Sequence, residues 1–156
     1  LIECALFQPD IPQNTGAILR LGACLAVPVH VIRPTGFILS DQKMRRAGMD
    51  YIAMAALRQH DDWNAFDEWR RAHGRRLVAL STKAEQPLHD FAFRDGDIIL
   101  MGRESAGLPD DVHAACDARL RIPMQSGARS LNVAISAGIA LAEALRQTGL
   151  WPAATP

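Results

Sequence analysis

The stretch "IPMQSGARSLNVAISAG", Ile122 to Gly138, starts apolar, turns polar and runs into a long apolar segment rich in Ala and Gly. Upstream, "ARLRIP" reads as a short strand. Downstream, "SLNVAISAGIALAEALRQTG" reads as a long helix stopped by Gly149 and Pro152. A polar loop therefore connects a strand end to a helix start. Ser130 stands near that start, where unpaired backbone N–H groups suit a polar or anionic ligand, and where a serine also serves as a plain N-cap. Asn132 is expected inside the first turn, and there it is harder to explain, because Asn is a poor helix former.

Three more strand-to-loop passages have the same form. "DIILMG" is a strand that leads into "GRESAGLP", with Gly102 at its carboxyl end and Gly107 five residues on. "RLVALS" is a strand followed by Thr82 and Lys83. "IECALF" is a buried strand closed by Pro9 and Pro12. Asn14 or Thr15 then caps a helix whose apolar face is Ile18, Leu21 and Leu25, which Pro28 ends, and which places Arg20 among apolar neighbours. In open α/β sheets, the carboxyl ends of strands are where ligands bind.

The remaining elements complete an alternation. "VHVI" is a strand. Ser40 or Asp41 caps a short helix that stops at Gly48, and "DYIAMAAL" is either strand or loop. "DDWNAFDEWRRAHG" is a helix begun by Asp61 or Asp62 and ended by Gly74. Strands alternating with helices imply an α/β fold with a mostly parallel sheet and helices on both faces. No repeat, linker or low-complexity run divides residues 1–156, so one domain is expected. In the last helix, Leu131, Ile135, Gly138, Ala142 and Leu145 run beside Ala134, Ala137, Leu141 and Ala144. Such a stripe lets another helix approach closely, either within the core or across a subunit interface.

Bulk properties exclude several classes. Lys+Arg and Asp+Glu both number 17, so the chain is not a generic basic nucleic-acid coat, though Lys43, Arg45 and Arg46 form a local patch. Arg70 and Arg71 are expected on a solvated helix face, while acids concentrate elsewhere, as in Asp61, Asp62, Asp67 and Glu68. Cys4, Cys24 and Cys116 are an odd set at unrelated spacings; they read as buried hydrophobes in a reducing cytoplasm. No apolar run approaches the ~20 residues of a membrane helix, and no signal peptide is expected. Five histidines without ligand spacing give no metal site. No G-x-G-x-x-G follows the first strand, and P-loop and G-x-S-x-G patterns are missing as well.

"NTGAILRLG", "LMGRESAGLP" and "IPMQSGARSLNVAISAG", in this order, resemble the three motifs of the SPOUT methyltransferases, SpoU branch. The match spans nearly the whole chain. The resemblance implies a C-terminal trefoil knot, a rare exception to the rule of unthreaded connections. It implies S-adenosylmethionine as methyl donor, leaving as S-adenosylhomocysteine, with no metal. By motif, the cofactor residues are Leu80, Thr82, Gly102, Glu104, Ile122, Met124, Ser130, Leu131 and Asn132, with Leu80, Ile122 and Leu131 flanking the adenine faces.

The same resemblance makes Asn14 and Arg20 catalytic. Arg20 either takes the 2′-hydroxyl proton, as accounts of the family hold, or clamps a phosphate and stabilises alkoxide charge, which better suits a permanently charged guanidinium. It implies a homodimer in which each active site borrows from the partner. With no appended RNA module and with "RRAGMDY", Arg45 to Tyr51, the chain is similar to the small members that methylate the wobble ribose of tRNA, a leucine tRNA in particular. An anticodon stem-loop offers accessible 2′-hydroxyls, with Arg33, Lys43, Arg45 and Arg46 as phosphate contacts. The alternatives are a family enzyme for ribosomal RNA or another tRNA position and, from a different class, a non-catalytic RNA-binding module.

Overall fold

Short apolar runs closed by Pro or Gly become the strands of one sheet. The computed structural model describes residues 1–39 and 56–154. The expected helix from Ser40 or Asp41 to Gly48, the basic residues Lys43, Arg45 and Arg46, and most of "DYIAMAAL" lie outside the described residues. In chain order the elements are β1 (Glu3–Phe7), α1 (Pro12–Leu25), β2 (Val29–Ile32), β3 (Leu57–His60), α2 (Trp63–Ala72), β4 (Arg76–Leu80), β5 (Gln86–Pro87), β6 (Asp97–Met101), α3 (Asp110–Ala115), β7 (Ala118–Arg121) and α4 (Val133–Thr148). A single 3-10 turn, Leu88–Asp90, follows β5.

The seven strands lie in the order β3-β2-β1-β6-β4-β7-β5, and every neighbouring pair is parallel. Strand alternation divides the core. Cys4, Leu6, Val29, Val31, Val78, Ile99, Met101 and Leu120 meet Ile18 and Leu19 of α1 and Ala137, Ala140, Leu141, Ala144 and Leu145 of α4. On the other face Ala5, Phe7, Ile32, Leu77, Ala79, Ile98 and Leu100 meet Phe66 of α2 and Val112 of α3. Both sheet faces are covered, as parallel strands require.

Several local expectations are corrected. Neither Asn14 nor Thr15 caps α1: Ile11 is the N-cap and Pro12 opens the helix, because its fixed φ and missing N–H suit that position. The helix stops at Leu25 rather than at Pro28, with Ala26 taking a left-handed turn at φ 55°. β3 is a true strand although Arg58 and Gln59 are exposed, since it is an outer strand of the sheet. Asp62 caps α2 by accepting from the Ala65 N–H at 2.8 Å, as its sequence suggested.

Arg70 is not on a solvated face. It is 3% exposed. Its guanidinium donates to Asp67 Oδ1 at 2.6 Å, Asp117 Oδ2 at 3.0 Å and the Ala115 carbonyl at 3.1 Å. It pins α2 to the turn between α3 and β7. Arg71 is exposed as expected and pairs with Asp67. The cysteines also divide. Cys4 and Cys116 are buried, and burial pushes their thiols up to about 12 and about 11; Cys24 lies exposed on α1.

A polar network sits under α2. His30 Nε2 meets Glu3 Oε2 at 2.6 Å, and His30 Nδ1 meets His60 Nε2 at 2.9 Å. Arg75 pairs with the other Glu3 oxygen at 2.9 Å. Phe66 packs edge-on against both imidazoles. Burial opposes the charge on Glu3, but the His30 hydrogen bond and the nearby cations outweigh it and hold the carboxyl below its ordinary value.

The small-residue stripe of α4 serves two purposes. Ala137, Leu141, Ala144 and Leu145 are core residues, and a Cβ on Gly138 would lie 3.8 Å from Leu21 Cδ2 of α1. Leu131, Ile135 and Ile139 remain exposed, as does Ile11 just before α1. Among the described residues, no helix is long and apolar enough to cross a membrane, and no group of three His, Cys, Asp or Glu side chains could hold a metal ion.

Candidate active site

Because all the strands are parallel, the loops after β4, β6 and β7 leave from one edge of the sheet. Together with the start of α1 they line a cleft of about 540 Å³. Leu80, Thr82, Gly102, Glu104, Ile122, Met124, Ser130, Leu131 and Asn132 all line it, and so does Asn14. The volume lies in the range of small-molecule sites, and the walls combine apolar side chains with a few polar groups, as such sites require.

The loop after β6 is a tight double-back. Arg103 N–H donates to the Gly107 carbonyl at 3.1 Å, and Gly107 N–H donates to the Arg103 carbonyl at 2.8 Å. A Cβ on Gly102 would come within 2.7 Å of the Gly107 backbone, and Gly107 has φ +66°. Gly102 thus leaves no room for a side chain and Gly107 takes a backbone conformation that favours glycine, which explains the pair; between them Glu104 to Ala106 line the rim of the cleft.

The loop after β7 ends differently from expectation. Asn132, not Ser130, is the N-cap of α4; its side-chain oxygen accepts from the N–H groups of Ala134 at 2.8 Å and Ile135 at 3.3 Å. Asn is among the best N-caps, so the residue that looked misplaced within a helix begins it. Its side-chain N–H donates to Asn14 Oδ1 at 2.9 Å. The first and last of the three motifs are joined by that bond.

Glu104 faces the loop between β1 and α1. Its Oε2 accepts from the Asp10 N–H at 3.0 Å, and Ser105 Oγ donates to Asp10 Oδ2. Burial, together with the hydrogen bond to Asp10, holds the Glu104 carboxyl above its ordinary value. The hydrogen bonds from Glu104 and Ser105 hold Asp10 below its own.

Arg20 lies on the exposed side of α1 and does not line the cleft of its own chain. Arg33 follows β2 and pairs with Asp61. Lys43, Arg45 and Arg46 are outside the described residues. Sequence reasoning missed Asp10, which meets Glu104, and Ile11 and Ser136, which line the cleft. The first two were signalled only by their place after a strand, in "QPDIP".

The SpoU rRNA Methylase family model matches residues 2–142. The chain belongs to that family. It is 59% identical over 145 residues to a tRNA (cytidine(34)-2'-O)-methyltransferase of Beijerinckia indica, covering 93% of this chain and 91% of that one. An Escherichia coli protein of the same name is 38% identical over 151 residues, covering 96% and 95%. A solved structure described as giving insight into the 2-OH methylation of C/U34 on tRNA superposes with a TM-score of 0.89 at 46% identity, covering 94% of this chain and 95% of that one. The SpoU methyltransferase AviRb of Streptomyces viridochromogenes, solved with AdoMet, gives 0.85 at 29% identity, covering 94% of this chain and 60% of that one. The fold is that of SpoU methyltransferases.

Proposed function

We propose that the chain is a tRNA 2′-O-methyltransferase that moves the methyl group of S-adenosylmethionine to the ribose 2′-hydroxyl of the wobble nucleotide, cytidine or uridine 34, of a leucine tRNA. The observation that carries the proposal is the cleft: every motif residue assigned to the cofactor lines it, in a chain whose relatives over nearly full length bear the name of that activity. S-adenosylmethionine supplies an electrophilic sulfonium methyl, so the protein has little covalent work to do. Leu80, Ile122 and Leu131 offer apolar surface for a purine, and the backbone of the three loops offers polar groups to its edge. Asn14 and Asn132 fix where the start of α1 sits against those loops. Arg20 holds the ribose oxygen in line, either by accepting its proton or by stabilising the charge that develops on it.

The proposal includes a homodimer and a C-terminal trefoil knot, both expected for this fold. Leu131 just before α4, Ile135 and Ile139 on it, and Ile11 just before α1 are exposed apolar residues, which supports a subunit contact. Arg20 stands outside its own cleft, which supports its serving the partner's. Free cysteines and a tRNA substrate go with a cytoplasmic location. Arg33, Lys43, Arg45 and Arg46 are the proposed phosphate contacts, each adding about 0.7 to 0.9 to the salt slope of binding.

The experiment is methyl transfer to total tRNA with the modified nucleotide mapped, run with and without EDTA. Methyl at position 34 of leucine tRNA, insensitive to EDTA, is expected. Methyl on ribosomal RNA or at another tRNA position would retain the family chemistry and remove the wobble assignment. No calorimetric binding of S-adenosylmethionine would favour the non-catalytic module.

A further inference from the structure

Asp10 is assigned no part in the chemistry above, yet three loops meet on it. Its N–H donates to Glu104 Oε2 at 3.0 Å, and its Oδ2 accepts from Ser105 Oγ, so the loop after β6 grips it at two points. From the other side comes the loop after β2. Gly36 N–H donates to the Pro9 carbonyl at 3.0 Å, and a Cβ on Gly36 would lie 2.9 Å from Asp10 Cβ and 3.0 Å from its Cα. Two positions after Asp10 the chain enters α1, which carries Asn14 and Arg20.

Asp10 Oδ1 is buried and has no donor among the described residues. A buried acceptor without a donor is costly, and a second carboxylate beside it would add repulsion. The Glu104 carboxyl is held beside Asp10 by its bond from the Asp10 N–H. One proton would resolve both problems: held on Glu104 and donated to Asp10, it would leave the pair a single negative charge. The upward displacement of Glu104 and the downward displacement of Asp10 agree with that placement. The Arg103 charge also favours the ionised form of Asp10.

We propose that Asp10 is a positioning residue for the methyl transfer proposed above: by accepting from Ser105 and from the Glu104 carboxyl, it locks the β1–α1 loop, and with it Asn14 at the start of α1, to the cofactor-side loop after β6. The inference rests on the functional proposal. It differs from a merely structural role in what it predicts. The lock sets the alignment of the reacting groups rather than the shape of the cofactor cleft. Loss of the lock therefore lowers kcat and leaves cofactor affinity in place.

The test measures kcat on leucine tRNA, calorimetric Kd for S-adenosylmethionine and the thermal midpoint for four variants. Asp10→Ala is expected to lose about tenfold or more in kcat, since small misplacements are costly in a positioned reaction, with Kd changed by less than about threefold. Asp10→Asn keeps an oxygen to accept from Glu104 and should recover kcat to within about threefold of wild type. Ser105→Ala removes one exposed bond and should cost kcat about two- to fivefold at an unchanged midpoint. Gly36→Ala pushes on Asp10 from the far side and should lower kcat without touching the cleft.

Should Asp10→Ala fail to fold, Ser105→Ala and Gly36→Ala still decide. Full kcat in all the folded variants overturns the inference, as does a parallel loss of cofactor affinity, which would place Asp10 in the cofactor site. Equal loss in Asp10→Asn and Asp10→Ala also overturns it, because the charge and not the hydrogen bond would then matter. An active wild type with unaffected variants defeats this inference alone. A wild type that methylates no tRNA defeats the functional proposal, and this one with it.

Discussion

The side-chain amide of Asn132 donates to the side-chain oxygen of Asn14 at 2.9 Å, joining residues 118 positions apart. The same Asn132 side chain accepts from the first free N–H groups of α4. One residue thus caps the last helix and ties it to the first turn of α1. The cap needs an acceptor; the tie needs a donor. Only an amide supplies both in that geometry.

Two substitutions separate these roles. Asn132→Ala loses both, and should cost about 1 kcal/mol of stability for the cap alone as well as most of the activity. Asn132→Asp retains the acceptor and gains a favourable charge at a helix N-terminus, but it cannot donate to Asn14. It is expected to keep the thermal midpoint and lose turnover. A variant Asp enzyme with wild-type kcat would show that the tie to Asn14 is dispensable.

The parts of the fold that were legible in the sequence are those where composition and burial agree. β1, β2, β4 and β6 are largely apolar runs closed by Pro, Gly or polar turns, and each is central or nearly so. β3 was not legible, because an outer strand exposes Arg58 and Gln59 and loses the apolar signature. The two-residue β5 and the short α3 carry too little pattern to see. The cleft was legible through motif resemblance, residue by residue, for Leu80 through Asn132. Asp10 was not, since an acid in a Pro-rich turn looks like solvated loop until the loop after β6 folds onto it. Arg70 was misread for a related reason: burial of a guanidinium depends on Asp117, 47 residues away, which no local pattern reveals.

Arg70 and Arg71 are adjacent arginines with opposite expected costs. Removing Arg70 as Arg70→Ala strips a buried cation from Asp117, and breaking a buried pair costs roughly 3 to 5 kcal/mol. Because Asp117 is itself half-exposed and also accepts from Leu77 N–H, the lower end of that range is expected. Arg71→Ala should stay within about 0.5 kcal/mol, as an exposed pair on a helix surface contributes little. Urea unfolding of both variants checks the contrast, and equal costs would contradict it.

Acid should destabilise the protein through the network under α2. Burial pushes His60 down to about 4 from the ordinary 6.5. The unfolded chain therefore takes up a proton at His60 as pH falls below 6.5, while the folded protein does not until about pH 4. Stability is full above 6.5 and declines through that window. Glu3, held low in the fold, has the same sign but acts below its ordinary value of 4.5. The thermal midpoint should fall between neutral pH and pH 4, and the His60 imidazole signals in NMR should titrate near 4. A His60 titration at its ordinary value with a flat midpoint would refute this.

Arg20 provides the sharpest test of the proposed dimer, because it stands on the exposed side of α1 and not in the cleft of its own chain. Arg20→Ala is expected to abolish turnover while leaving the affinity for S-adenosylmethionine nearly intact. Arg20→Lys should also fail, since a point charge does not replace a planar, bidentate donor. If each site takes its arginine from the partner, two inactive variants can complement each other. In a mixture of Arg20→Ala with Asn132→Ala, refolded together at equal amounts, half of the dimers pair one of each. Each such dimer has one site with both defects and one with neither, so about a quarter of wild-type activity should return in a two-fold symmetric assembly. Recovery to that level would place Arg20 at the partner's cleft. No recovery, with mixed dimers demonstrated by mass spectrometry, would assign Arg20 to its own chain's reaction instead.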